Sequence, residues 1–434
     1  MPKLRVADSR DHFLCDGEKT FLLGDSIFSA FYNIRLDEWK YYLEFRKSQG
    51  FNLLSINVLH QWDGGEPALG IYPFDIGKAG RFQFHKLSKN YFSHAGQIVE
   101  MAVEMGFVPK LTILHASYVP GTWATKRRPQ TIMPREAVKP YVECVVDSFA
   151  QYNPIYMISG DTDLESPEAS DYFWQALEIV KAKDPDALVG LGLAHNYDLP
   201  EQFAESENID YYCYQAGHRI EEVRSGCVYK LAKRFYEKPI KRPIVNGEFT
   251  YEGHGYGHAN YGRYNEFDIR RGIWQGILSG AKAGAVYGAH GLWGWYVRGR
   301  EFLNEEFAGK AFPWQVALKF PGASDAAFAK WIFEKYDLFD LEPSEKILNK
   351  TEQQRNQIRM SASTDSTRIA IYAPFTAEVE IGLDLSGYDF TALDLKERRF
   401  FTPEVKLAGE SSVIEMCDFN SDVLYLGLRS QESS

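Results

Sequence analysis

Two stretches decide the fold: Ile155-Tyr-Met-Ile-Ser-Gly-Asp161 and Pro243-Ile-Val-Asn-Gly-Glu248. Each is a short apolar run that stops on a glycine and an acid. That texture belongs to a parallel strand buried on both faces and emptying into a loop. Six further runs share it, at residues 21–24, 53–57, 108–115, 188–195, 209–215 and 285–290, which makes eight candidate strands. Helical patterns lie between them. Leu36, Trp39 and Leu43 share a face, with Asp37 and Glu38 in the opening turn and Gly50 beyond the close, as helix electrostatics and C-cap geometry favour. A second helix runs from about Ser93, with Ala95, Ile98, Val99, Ala102 and Met105 inward, and stops at Gly106. Others begin at Ser166-Pro167-Glu168 and at Ser324.

Eight alternating units in about 340 residues predict a (β/α)8 TIM barrel. A doubly wound sheet is disfavoured, because no Gly-x-Gly-x-x-Gly turn follows the first strand. After Pro343 the pattern changes to short alternating runs rich in β-branched residues, at 367–373, 377–383, 412–416 and 423–428. The sequence therefore divides into a catalytic barrel over residues 1–345 and a small antiparallel β-sandwich over 346–434, expected to cap the barrel.

Composition narrows the function. The 434 residues carry 48 Lys+Arg against 59 Asp+Glu, a net charge of -11, and 45% are apolar. Disorder and fibrous repeats are excluded, and an acidic chain is a poor partner for nucleic acid. No window approaches 18 apolar residues and the N-terminus lacks a secretory signal, so a cytoplasmic protein with no membrane partner is expected. Five cysteines, Cys15, Cys144, Cys213, Cys227 and Cys417, are scattered without a Cys-x-x-Cys pair and read as buried apolar residues. An oligomer is compatible with all of this.

In a barrel, the C-terminal ends of all strands share one cleft. The polar strand-end residues then become site candidates, and Asp161 and Glu248 lead them. Strands four and seven face each other across the mouth, and opposed carboxyls are what cleavage of a glycosidic bond requires: one protonates the departing oxygen while the other, ionised, attacks or stabilises the anomeric carbon. Asp25, Asn57, His60, His115, His195, Gln215, His218, Asn246 and His290 are candidate partners of sugar hydroxyls. Trp62, Trp123, Trp293, Trp295, Tyr214, Tyr251 and Tyr256 are candidate stacking platforms for a sugar ring, Trp293 and Trp295 foremost. No cofactor is implied. The first strand ends Gly24-Asp25-Ser26 where a metal-dependent barrel carries His-x-His, and no His-Glu-x-x-His occurs, so no metal is expected either. A carbohydrate-binding barrel without catalysis and a metal-dependent barrel hydrolase or isomerase are the competing readings.

Six motifs in order resemble the apiosidase-like glycoside hydrolases related to clan A: Phe21-Leu-Leu-Gly-Asp25, Tyr42-Leu-x-x-Arg46-x-x-x-Gly50-Phe-Asn52, Ser159-Gly-Asp161, Tyr214-Gln215-x-Gly-His218, Pro243-x-x-Asn-Gly-Glu248-x-x-Tyr251-Glu252-Gly253 and Gly284-x-x-Tyr287-Gly288. The resemblance spans nearly the whole chain. It implies a barrel joined to a C-terminal β-domain of the type once called collagen-binding, Asp161 as acid/base, Glu248 as nucleophile, a retaining mechanism and a plant-derived glycoside or oligosaccharide as substrate. From those roles, Asp161 is expected to keep its proton through burial or a neighbouring acid such as Asp163, and Glu248 to be held ionised by donors such as Asn246 or His218. Two positions depart from the family pattern: Ser159 stands where glycine is common, and Ser26-Ile27-Phe28 replaces Thr-x-Trp.

Overall fold

The computed structural model describes residues 1–61, 65–78, 80–258, 261–349 and 354–429. Eight parallel strands, β1 (Leu22–Ser26), β2 (Leu53–Asn57), β3 (Val108–His115), β4 (Ile155–Gly160), β5 (Val189–Gly190), β6 (Tyr212–Gln215), β7 (Ile244–Glu248) and β8 (Gly284–Tyr287), pair in the order β5-β4-β3-β2-β1-β8-β7-β6. The ladder is interrupted between β5 and β6. There the Asp210 N–H donates to the Val189 carbonyl at 2.8 Å and the Asn196 N–H to the Gln215 carbonyl at 3.0 Å, which brings the two edges together. The expected fifth strand, 188–195, keeps only two ladder residues. Beyond them Gly192 presses so close to β4 that a Cβ would lie 2.6 Å from the Ser159 carbonyl oxygen.

Helices α1 (Leu36–Gln49), α2 (Lys89–Glu104), α3 (Arg135–Phe149), α4 (Pro167–Lys183), α5 (Glu201–Ala204), α6 (Cys227–Tyr236), α7 (Glu266–Ile277) and α8 (Gly322–Lys335) follow the strands in turn. Local chemistry sets their ends. Gly50 closes α1 at φ +92°, where a side chain would be strained. Ser166 caps α4 through Ala169 N–H. Helix α2 starts at Lys89, earlier than its apolar periodicity suggests, because Ser88 Oγ accepts the Tyr91 N–H and nucleates the turn there.

One end of the barrel is closed. Leu22, Leu53, Val108, Ile155, Val245 and Val286 fill its interior, joined by Leu4 and Phe13 of a short N-terminal antiparallel meander (Leu4–Val6, Phe13–Cys15, Glu18–Thr20). Any ligand must enter from the opposite end, where the strands release their loops.

The C-terminal domain is a six-stranded antiparallel sheet facing a three-stranded one. Its strands are β9 (Leu341–Ser344), β10 (Arg359–Ser363), β11 (Arg368–Ala373), β12 (Val379–Ile381), β13 (Tyr388–Asp394), β14 (Arg399–Phe401), β15 (Val405–Ala408), β16 (Ser411–Ile414) and β17 (Val423–Arg429), ordered β9-β10-β11-β17-β13-β14 and β12-β16-β15. Period-two alternation assigns the larger sheet two buried faces. Ile369, Ile371, Val423 and Tyr425 point into the sandwich, while Ala370, Tyr372, Leu424 and Leu426 join the core of the barrel. The domain packs on the flank of α7 and α8 instead of capping the mouth as expected. The physical reason is a buried charge network: Arg270 on α7 pairs with Asp422 at 2.9 Å and with Asp325 on α8 at 2.8 Å, and all three side chains are at most 8% exposed. Gln275 Nε2 donates to the Gln357 carbonyl at 2.9 Å and Lys282 to the Leu341 carbonyl at 2.8 Å along the same seam.

Removing Arg270 would leave the buried Asp422 without its cation and Asp325 with only the half-exposed Arg398, 3.1 Å away. Arg270→Ala should therefore cost about 3–5 kcal/mol and split the unfolding of sandwich and barrel into separate transitions. Differential scanning calorimetry checks this; an unshifted single endotherm would show that the clamp is not what couples the domains.

Candidate active site

At the open end the strand termini surround a pocket of about 410 Å³. Of the two carboxyls, the nine polar candidates and three of the aromatics (Tyr251, Trp293 and Trp295), nine line it: Asp161, Glu248, Asn57, His115, His195, Gln215, His218, Tyr251 and Trp293. Five do not. Asp25 is fully buried behind the barrel wall, where it accepts from Arg46 Nε at 2.5 Å and from the Tyr42 hydroxyl at 2.8 Å. It therefore ties β1 to α1, and the Arg46 guanidinium lies over the Phe51 and Tyr287 rings. Asn246 faces outward from β7: a Cβ on Gly276 of α7 would sit 3.3 Å from its amide nitrogen. His290 is buried against the Gly309 carbonyl at 2.9 Å, and His60 is held by the Gly65 carbonyl at 2.8 Å. Trp295 stacks on Trp314 with centroids 4.0 Å apart, as core. Among the aromatic candidates Trp123 and Tyr214 also reach the pocket, Tyr256 packs instead on Tyr264, and Trp62 lies outside the described residues.

A bulge turns Glu248 inward. Tyr214 pairs with Asn246 but the next residue, Gln215, pairs with Glu248, so Gly247 is an extra residue on β7. The position demands glycine, because a Cβ would fall 2.2 Å from Cys213 Sγ. Gly160 likewise has Thr112 Cγ2 2.8 Å from where its Cβ would be. Strand packing requires both glycines, and both also line the pocket. Asp161, just past β4, is held at φ +52°, a left-handed conformation uncommon outside glycine, and its carbonyl accepts the Trp123 indole N–H at 2.8 Å.

Glu248 is surrounded by donors. Gln215 Nε2 donates to its Oε1 at 2.9 Å, and His218 Nε2 lies 2.9 Å from the same oxygen. The Tyr251 backbone N–H points at His218 Nδ1 (3.4 Å), which makes Nδ1 the acceptor and leaves the proton on Nε2 for Glu248. Burial lowers His218 to about 3, so the ring is neutral when it donates. The Tyr251 hydroxyl, 2.9 Å from Ser26 Oγ, also bonds Glu248. Asn246, expected among these donors, is absent because β7 points it the other way.

Burial nonetheless outweighs the donors. It raises Glu248 to about 7, with Tyr251, His195, Lys110 and Gln215 pulling back. Asp161 also reaches about 7, pushed by burial first, then by the charges of Glu248 and Asp163, with only Gln215 opposing. Asp163 itself is raised to about 6 by burial and its contact with Glu165. Both carboxyls are thus raised toward neutrality; the charge of Glu248 pushes Asp161 further up, whereas the groups around Glu248 favour its ionised form.

The pocket also contains residues that strand ends did not flag. Ser55, Lys110 and Thr112 line it from within β2 and β3, Arg127 and Phe307 come from the short helices Trp123–Arg127 and Glu305–Ala308, and Arg219 comes from a loop. A lysine inside the otherwise apolar stretch Val108–His115 was the available signal. Among the described residues no group of three or more His, Cys, Asp and Glu side chains is arranged to hold a metal, and no helix is long and apolar enough to cross a membrane.

Barrel, closed base and paired carboxyls together are those of a glycosidase with the clan A fold. More narrowly, the chain belongs to the apiosidase-like family, whose catalytic-domain model matches residues 8–340. A structure described as a glycoside hydrolase is 17% identical with a TM-score of 0.81, covering 99% of this chain and 98% of that one. A glycoside hydrolase family 5 protein from Bacteroides vulgatus ATCC 8482 is 16% identical with a TM-score of 0.82, covering 99% and 94%. The endo-1,4-beta-mannanase of Rhizomucor miehei is 13% identical with a TM-score of 0.51, covering 76% and 100%. At such identities the likeness is one of fold. No curated protein matches the sequence.

Because Glu248 rises from an ordinary 4.5 to about 7 on folding, its ionisation opposes the folded state as pH climbs through that window. Glu248→Gln, neutral throughout, should be more stable than the parent by about 2–3 kcal/mol at pH 8, with the gap closing near pH 4. Chemical denaturation at both pH values tests this, and equal gaps would mean Glu248 is not desolvated.

Proposed function

We propose that this glycosidase works by retaining double displacement, with Asp161 as acid/base and Glu248 as nucleophile, on a small glycoside or oligosaccharide of plant origin. The observation that carries the mechanism is the unequal provision of donors to two carboxyls raised toward neutrality. Glu248 has Gln215, His218 and Tyr251 directed at it, while Asp161 sits among negative charges and keeps its hydrogen. The description of the matched family as apiosidase-like supports a glycoside as substrate.

In the first step Glu248 Oε attacks the anomeric carbon, the bond to the leaving oxygen breaks, and that oxygen takes the Asp161 proton. Formation of the ester discharges Glu248, which removes one of the charges that raised Asp161. Asp161, having given up its proton, is now an ionised base that burial and Asp163 still hold above the ordinary carboxylate range. It takes a proton from the water that attacks the anomeric carbon, and Glu248 departs as carboxylate. His218 is a positioning residue throughout, with its tautomer set by the Tyr251 main chain.

Glu248→Gln should lower kcat on the order of 10⁴-fold or more without loss of fold, and Asp161→Ala should recover turnover on aryl glycosides with activated leaving groups, which need no proton. NMR of the first-formed product should show the anomeric configuration of the substrate; the opposite anomer would replace this mechanism with inversion. The pH profile of kcat/KM should be bell-shaped, with apparent limbs on either side of 7, since activity requires Glu248 ionised and Asp161 protonated. Asp161→Asn should abolish the basic limb.

A further inference from the structure

Lys110 has no part in the chemistry above, yet it is 3% exposed and lines the pocket. It makes no hydrogen bond or ion pair with any described residue, and the side chains that feel its charge are Glu248 and Cys213. A buried ammonium without a partner is unfavourable, and here it faces the space where a glycosidase builds positive charge. An oxocarbenium-like transition state beside a bare ammonium would be disfavoured. An anionic group on the substrate would take up that charge.

The surroundings indicate what. Lys110 is the ladder partner of Ser55, and Thr112 that of Asn57, so the four form a two-by-two patch on neighbouring strands. All four line the pocket. Strand geometry spaces them about 5 Å across and 7 Å along, the span of one sugar substituent and its ring edge. The Ser55 and Thr112 hydroxyls are likewise unbonded to described residues. One ammonium flanked by two hydroxyl donors matches a carboxylate. Strand β3 lies across the barrel from β7, so a sugar held here presents its far side to Glu248.

We infer that Ser55, Asn57, Lys110 and Thr112 form a carboxylate-binding subsite, and that the sugar attacked by Glu248 is a uronic acid. The second half rests on the glycosidase reading; the first does not.

Hydrolysis of p-nitrophenyl glucuronides and galacturonides is compared with that of the matching glucosides, galactosides and xylosides, for wild type, Lys110→Gln and Lys110→Met. Wild type should favour uronides, and both variants should lower the uronide-to-neutral ratio of kcat/KM by about 100-fold. Calorimetric titration with free glucuronate, galacturonate, glucose and galactose gives a second readout that needs no turnover. Uronates should bind wild type at least about tenfold more tightly than the neutral sugars, and this preference should vanish in folded Lys110→Gln. Neutral sugars cleaved and bound as well as uronates, or a ratio unmoved by both variants, would overturn the inference. If none of these glycosides is cleaved, the uronic acid as the attacked sugar falls, and the titration alone decides the subsite: lost uronate preference in Lys110→Gln sustains it, and absence of preference in wild type ends it.

Discussion

Water exclusion around two carboxyls is the constraint on which the site depends. Asp161 and Glu248 lie 87 positions apart in sequence and meet only because a parallel sheet curls until its fourth and seventh strands share one mouth. The base is sealed by aliphatic side chains and the N-terminal meander, so the only polar relief available to either carboxyl comes from neighbours at the rim. Donors are assigned almost entirely to Glu248. The difference between the two acids therefore comes from the side chains β6 and β7 direct at them, and both still titrate far above free carboxylates.

The bulge at Gly247 shows how little backbone change this takes. One added residue in a strand rotates the following carboxyl from the helix layer to the pocket, while Asn246, its near neighbour, remains under α7. The same step brings Cys213 Sγ against the bare Gly247 Cα, so strand packing and site geometry are the same requirement.

Most of the architecture was legible because strand runs, helix caps and the change of texture after Pro343 are local signals. Six of the eight strands fall within the predicted stretches; β1 runs two residues past its own, to Ser26, and β8 starts one residue before its own, at Gly284. The fifth shrank because glycines let its chain leave the ladder, which no local pattern records. Strand-end reasoning located Asp161, Glu248, Gln215 and His218 but could not tell which face a residue takes. Asp25 looked like a ligand and is instead the counter-charge of Arg46, some twenty residues on. Trp295 looked like a platform and is instead paired with Trp314, whose loop has no readable register. Lys110 was missed because the search stopped at strand ends, whereas the pocket reaches down to the middle of β3.

The two apolar faces of the larger C-terminal sheet bear on how this protein came to be a two-part molecule. Leu424 and Leu426 are as much barrel core as Ile269 or Phe333, so the matched catalytic segment, ending at 340, is not a free-standing body. An ancestor that shed the sandwich would have bared a greasy flank on α7 and α8 and needed compensating polar changes there. Shuffling of this sandwich onto other barrels is thereby restricted to hosts that already carry a matching hydrophobic side.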